Sequence, residues 1–236
     1  MTKILIGALA CHAYPERRRR CLEAWVADAL RANMDVVFLL GGADDGPRRE
    51  GLNLLLPCPD DYESLTQKSR GLFEWALAQT DCDFVFKCDD DTYLRPDRLL
   101  RLAQLSADYV GAEWTEGSGY GSGGAGYLLS RKAAKVAAVG LADHPQGVED
   151  LLVGEILKSA GIEMTRTDDL IAYANDSARP KPTNSIISAH AADDPWKSHA
   201  VEFAEKLPFV TCEPMGRLGN LLFQAAAVLG YRPRLQ

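Results

Sequence analysis

Along the chain, short apolar runs alternate with longer stretches in which apolar residues recur every three or four positions. "KILIGALA" near the start is almost wholly apolar, the pattern of a strand covered on both faces. "PERRRRCLEAWVADALRAN" follows, with Pro15 suited to a first helical turn and Cys21, Leu22, Trp25, Val26 and Leu30 at helical spacing. "DVVFLLGG" and "GLNLLLP" predict two more strands, the second stopped by Pro57. "DDYESLTQKSRGLFEWALAQT" predicts a long helix with Tyr62, Leu65, Leu72, Phe73, Ala76 and Leu77 on one face. "DFVFKC" reads as a strand, "RPDRLLRLAQL" as a helix opening at Pro96, and "ADYVGAEW" as a further strand. The glycine-rich "GSGYGSGGAGYLLS" is loop that passes into a strand-like end. "SRKAAKVAAVG" predicts a helix capped by Ser130, and "VEDLLVGEILKSAG" one that opens on two acids and closes at Gly161. The alternation predicts an α/β domain with a central, mostly parallel sheet flanked by helices. Ligands of such sheets collect at the carboxyl ends of the strands.

Composition narrows the function. The chain has 236 residues, 47% of them hydrophobic and 25% charged, as expected for one globular domain, or one plus a remnant of another. A net charge of −7 argues against a nucleic-acid polymer as partner, because phosphate contacts need a basic face. No apolar stretch reaches the roughly 18 residues of a membrane span. In "MTKILIGALACHAYPERRRR" the positive charges follow the apolar run instead of preceding it. That favours a first strand over a signal peptide, so a cytoplasmic protein is expected. The six cysteines form no C-x-x-C pair and are expected to be reduced thiols.

The candidate chemistry starts at "FVFKCDDDTYL", where Asp89, Asp90 and Asp91 stand in a row behind a strand. Three adjacent carboxylates repel one another. They are either an acidic turn before the helix at Pro96 or the site of a cation. Hard oxygen ligands suit Mg²⁺ or Mn²⁺, which would also hold a diphosphate and stabilise it as a leaving group. Glu149 and Asp150, taken alone, are acids that favour a helix N-terminus. Arg17 and Arg18 either meet a diphosphate or belong to a solvated face. The glycines Gly123, Gly124 and Gly126 either line a pocket or form plain loop.

"KCDDDTYL" resembles the K-x-D-D-D motif of the β-1,3-glycosyltransferase family that holds galactosyltransferases, N-acetylglucosaminyltransferases and Fringe. "ERRRRCLEAW" is similar to its E-R-R-x-x-x-R-x-T-W segment, although Glu23 and Ala24 depart from it. "DYESLTQKS" resembles Y-x-N-L-T-x-K-T through Tyr62, Leu65, Thr66 and Lys68. "SGGAGYLLSR" resembles G-G-G-Y-V-L-S with Ala125 for one glycine, and "VEDLLVG" resembles E-D-V-x-V-G. The five segments occur in family order from Glu16 to Gly154. The resemblance implies a GT-A type nucleotide-sugar transferase fold and inverting, β-1,3 transfer from a UDP-sugar, with Mn²⁺ (or Mg²⁺) as the ion. It implies Asp91 as metal ligand, joined by a downstream histidine for which His190 is the candidate and His199 the rival. Asp150 would be the catalytic base. Arg17, Arg18, Lys68, Asp89, Asp90, Gly123, Gly124 and Glu149 would bind the donor. Trp114 is a candidate platform for the acceptor, an oligosaccharide or glycolipid-type sugar. "ARPKPTNS" is expected to be a lid that orders on donor binding.

"GRLGNLLFQAAA" near the end resembles the opening of α-1,2-fucosyltransferases, through Gly216, Arg217, Gly219, Asn220, Phe223 and Gln224. Residues 1–207 are therefore read as the catalytic domain. Residues 208–236 are read as the start of a covalently linked fucosyltransferase domain or as a C-terminal helix. The tail points to galactose as the transferred sugar, since fucosyltransferases of that class commonly act on terminal galactose. N-acetylglucosamine or N-acetylgalactosamine from their UDP-sugars is the alternative. An inactive module that binds a nucleotide-sugar or glycan is another.

Overall fold

The computed structural model describes residues 2–172 and 186–190. The proposed boundary at 207/208, the fucosyltransferase-like stretch, His199 and "ARPKPTNS" lie outside them. In chain order the elements are β1 (Ile4–Leu9), a helix of three parts, β2 (Asp35–Leu40), β3 (Arg48–Glu50) and β4 (Asn53–Leu55). Next come α3 (Leu65–Gln79), β5 (Phe84–Asp89), β6 (Thr92–Leu94), α4 (Pro96–Ala103), β7 (Tyr109–Gly111) and β8 (Tyr127–Ser130). They are followed by α5 (Arg131–Gly140), α6 (Glu149–Ser159), β9 (Thr165–Arg166), β10 (Leu170–Ile171) and β11 (Ser188–His190). The three-part helix is α1 (Pro15–Cys21), a π-helical turn (Leu22–Val26) and α2 (Ala27–Arg31). Among the described residues no helix is long and apolar enough to cross a membrane.

The main sheet has the order β3-β4-β2-β1-β5-β8-β7-β9. Its residues alternate between two cores. Ile4, Ile6 and Ala8 of β1 pack with Trp25, Val36, Phe38, Phe86 and Leu99 on one face. Leu5 and Leu9 pack with Val37, Leu39, Leu72, Phe73, Val85 and Ala133 on the other. Burial on both sides is why these strands read as unbroken apolar runs.

The sheet is mixed, where a mostly parallel one was expected. β1 runs parallel to β2 and β5, but β8 is antiparallel to both β5 and β7. The cap and stop signals are found where the sequence puts them. Pro15 and Pro96 open α1 and α4, Ser130 accepts from the Ala133 N–H, and Gly161 turns the chain after α6 at φ 76°. The helix read from Asp60 begins only at Leu65, and Tyr62 is 84% exposed instead of packing. Asp60 and Asp61 serve the preceding loop instead: Asp61 accepts from the Ser64 N–H, and Asp60 from the N–H groups of His12 and Gly41. The five described cysteines are free thiols, as expected.

Candidate active site

Two strands bring the metal-ligand candidates together. β5 pairs in parallel with β1 as far as Leu9 opposite Asp89, so Asp89 stands at the carboxyl edge of the sheet. The chain then turns through Asp90 and Asp91 and leaves the main sheet as β6, which pairs antiparallel with β11 and sets His190 opposite Thr92. Asp89, Asp91 and His190 each offer one ligand atom, all within 4.8 Å of one another. The His190 Nε2 lies 3.3 Å from Asp91 Oδ1. The His190 Nδ1 lies 3.2 Å from the Ala172 carbonyl, which fixes it as donor and turns Nε2 toward the aspartates.

One oxygen here, Asp90 Oδ2, is buried without a partner among the described residues, and Asp91 Oδ1, also buried, has only the His190 Nε2 at 3.3 Å. Buried carboxylate oxygens left in this way are costly unless a cation serves them. The donor set of two carboxylates and one imidazole suits a first-row divalent ion such as Mn²⁺. The residues therefore fit the ion that the resemblance implies, with Asp89 in the group and Asp90 turned inward beside it. Burial pushes the Asp91 carboxyl up, but His190 and Arg17 outweigh it and hold it below the ordinary value. Burial also opposes charge on His190, yet Asp91 and Asp89 leave its pKa raised. Asp90 is pushed up to about 7, chiefly by burial, with Arg17 opposing.

Behind this group lies a buried cation that sequence reading left without a role. Lys87, its side chain 2% exposed, has its ammonium 3.1 Å from Asp89 Oδ1, 3.0 Å from Glu149 Oε2 and 3.3 Å from the Gly123 carbonyl. Burial opposes its charge, but Asp89, Glu149 and Asp150 win and raise its pKa. The Tyr127 hydroxyl donates to Glu149 Oε1 at 2.6 Å. Both Glu149 oxygens thus meet protein groups. Asp150, one residue on in the first turn of α6, is half-buried. Its Oδ2 accepts from the Gly123 N–H at 2.8 Å and its Oδ1 from the Leu151 N–H at 2.9 Å.

Gly123 and Gly124 were expected to line a sugar pocket. A Cβ on Gly123 would stand 2.8 Å from Lys87 Nζ, and one on Gly124 2.6 Å from His190 Nδ1. Their bareness makes room for protein groups. Thr92, also missed in the sequence, joins the two halves: its Oγ1 accepts from the Asp89 N–H and donates to the Gly124 carbonyl at 2.5 Å. Gly124→Ala should displace the His190 ring and weaken Mn²⁺ binding about 10- to 100-fold, the usual cost of disturbing a ligand's support. Titration of the protein with Mn²⁺ checks this, and unchanged affinity would remove His190 from the ligand set.

The arginines divide. Arg17 faces the aspartates, with Nη1 3.3 Å from Asp91 Oδ2 and 3.5 Å from Asp90 Oδ1, while Arg18 donates to the Cys11 carbonyl. Lys68 does not reach the aspartates. Its ammonium is buried, donating to the Ala10 carbonyl at 2.8 Å and to Asp60 at 2.7 Å. With Asp60 it ties the loops after β1 and β2. Trp114 is partly buried against the core.

Residues 16–120 match the family model described as Galactosyltransferase. The stretch includes Arg17 and Asp89 to Asp91 and ends before Gly123, Asp150 and His190. Over 90 residues the chain is 36% identical to glycoprotein-N-acetylgalactosamine 3-beta-galactosyltransferase 1 of Xenopus laevis, covering 34% of this chain and 25% of that protein. Over 99 residues it is 33% identical to beta-1,3-galactosyltransferase 6 of Mus musculus, covering 36% of this chain and 30% of that one. The matched stretches thus span less than a third of these relatives' lengths. Among solved structures, 85% of the chain resembles the whole of a glycosyltransferase involved in glycosylation of the major capsid of PBCV-1, with a TM-score of 0.55 and 11% identity. At that identity the likeness shows the fold alone, and the fold is α/β of the GT-A type.

Proposed function

We propose that the chain is a metal-dependent, inverting glycosyltransferase that moves galactose from UDP-galactose to a glycan hydroxyl in β-1,3 linkage. One observation carries the reading. Consecutive residues touch the two halves of the site: Gly123 holds Asp150 through its N–H, and Gly124 lies against the ring of His190. A carboxylate fit to act as base and a ligand set fit for a cation therefore share one wall. The matched galactosyltransferase stretch and the relatives' names support galactose as the sugar.

A divalent ion, held by Asp89, Asp91 and His190, would supply positive charge for a diphosphate leaving group. Asp150 takes the proton of the acceptor hydroxyl as that oxygen attacks the anomeric carbon. Its two backbone donors fix the direction in which the carboxylate faces. Lys87 and Glu149 hold the first turn of α6 against Asp89, which keeps base and ligands in register.

The test is release of UDP from UDP-galactose, UDP-N-acetylglucosamine and UDP-N-acetylgalactosamine, with Mn²⁺ or chelator, with and without a simple sugar acceptor. The expected result is release from UDP-galactose that needs Mn²⁺ and rises with acceptor. Preference for another donor would correct the sugar. UDP binding without release from any donor would favour a binding module.

A further inference from the structure

The Arg17 guanidinium does what the proposed ion would do: it stands as counter-charge to the aspartates. It reaches Asp91 through Oδ2, while the opposite oxygen, Oδ1, lies 3.3 Å from His190 Nε2. One carboxylate therefore lies between the arginine and the corner formed by Asp89, Asp91 and His190. An ion in that corner and the guanidinium would be like charges a few ångströms apart across a buried carboxylate, where repulsion is screened less than in water. The two partners differ in freedom. The Arg17 side chain is 43% exposed, against 6% for Asp90 and 17% for Asp91. The carboxylates are fixed by burial, and the arginine is the group able to leave. It rests 4.9 Å from the centre of the exposed Tyr14 ring. Its neighbours are engaged elsewhere, Arg18 with Cys11 and Arg19 with Glu16 and Glu23.

Building on the metal-dependent reading above, we propose that Arg17 holds the cation's place until a nucleotide diphosphate arrives. The guanidinium resists entry of a free divalent ion, then leaves the aspartates for the incoming diphosphate, so that ion and nucleotide bind together. A bidentate donor fork suits a diphosphate at least as well as an ion pair at 3.3 Å. The consequence is thermodynamic. UDP raises affinity for the ion, the ion raises affinity for UDP by the same factor, and part of that factor resides in Arg17.

The experiment measures Mn²⁺ binding to the whole chain by loss of the free-ion electron paramagnetic resonance signal, with and without saturating UDP. It compares wild type, Arg17→Gln, Arg17→Lys and Asp91→Ala. Without nucleotide, Arg17→Gln should bind Mn²⁺ at least about fivefold tighter than wild type, the lower end of ordinary coupling between sites. With UDP that gain should vanish or reverse. Arg17→Lys, which keeps the charge, should stay close to wild type. Unchanged or weaker Mn²⁺ binding by Arg17→Gln without nucleotide overturns the proposal, making Arg17 a plain support for the aspartates. Wild type that binds no Mn²⁺ in either condition, or Asp91→Ala that binds it normally, overturns the metal reading and this proposal with it.

Discussion

Asp150→Asn should lower the rate of sugar transfer by two to four orders of magnitude, the usual worth of a positioned proton acceptor, while Mn²⁺ and UDP affinity stay within about twofold. The side chain keeps its size, so the donor pocket and the ligand group keep their shapes. What is lost is the capacity to accept a proton from the attacking hydroxyl. A second cost is separable. The carboxylate accepts one N–H on each oxygen, from Gly123 and from Leu151. An amide has one oxygen to offer, so one of these backbone donors loses its partner, at about 1–3 kcal/mol of stability. Single-turnover transfer at saturating donor reads the first effect and thermal unfolding the second. Transfer within tenfold of wild type would show that the proton goes elsewhere, and that Asp150 serves only to hold Gly123 and the helix end.

Much of the frame was legible because its signals are local. Strands β1, β2 and β5 are buried on both faces and read as apolar runs, and Pro15, Pro96, Ser130 and Gly161 mark helix ends by their own backbone chemistry. The aspartates were legible as a candidate site because they follow a strand. Strand direction was not, since a strand covered on both faces looks the same whether its neighbour runs with it or against it. Asp60 and Asp61 read as a helix start, but Asp60 is committed to the N–H groups of His12 and Gly41, which the loops after β1 and β2 deliver to it, and Asp61 to the Ser64 N–H of its own turn. Lys87 was the larger miss. It sits inside the quoted motif, yet its partners Gly123 and Glu149 lie 36 and 62 positions on. No pattern of spacing announces a buried ammonium whose charge is answered from that far away.

That buried ammonium carries the largest expected stability effect. Lys87→Met should destabilise the fold by about 3–5 kcal/mol, because it leaves Glu149, 4% exposed, without its counter-charge. In a domain of this size that corresponds to a fall in Tm of roughly 6–20 °C. The Asp89 side chain, 33% exposed, keeps access to water, so most of the loss should arise at Glu149. The sign with pH follows from the raised pKa of Lys87. A group whose folded pKa lies above its unfolded value stabilises fully below the unfolded value, about 10.4 for lysine, and loses the effect as pH rises through the folded one. The deficit of the variant should therefore stay level from neutral to moderately alkaline pH and shrink only beyond the ordinary lysine range. A double substitution separates charge from packing. In the Lys87→Met background Glu149→Gln should recover part of the loss, since the amide needs no counter-ion and still accepts from Tyr127. On wild type the same substitution should destabilise, by removing the partner of Lys87. Urea unfolding of the four proteins gives the coupling directly. A loss under about 1 kcal/mol for Lys87→Met, or strictly additive effects, would mean that the ammonium and the glutamate do not depend on each other. The tie between the Asp89 turn and α6 would then have to lie in the hydrogen bonds of Gly123 and Thr92.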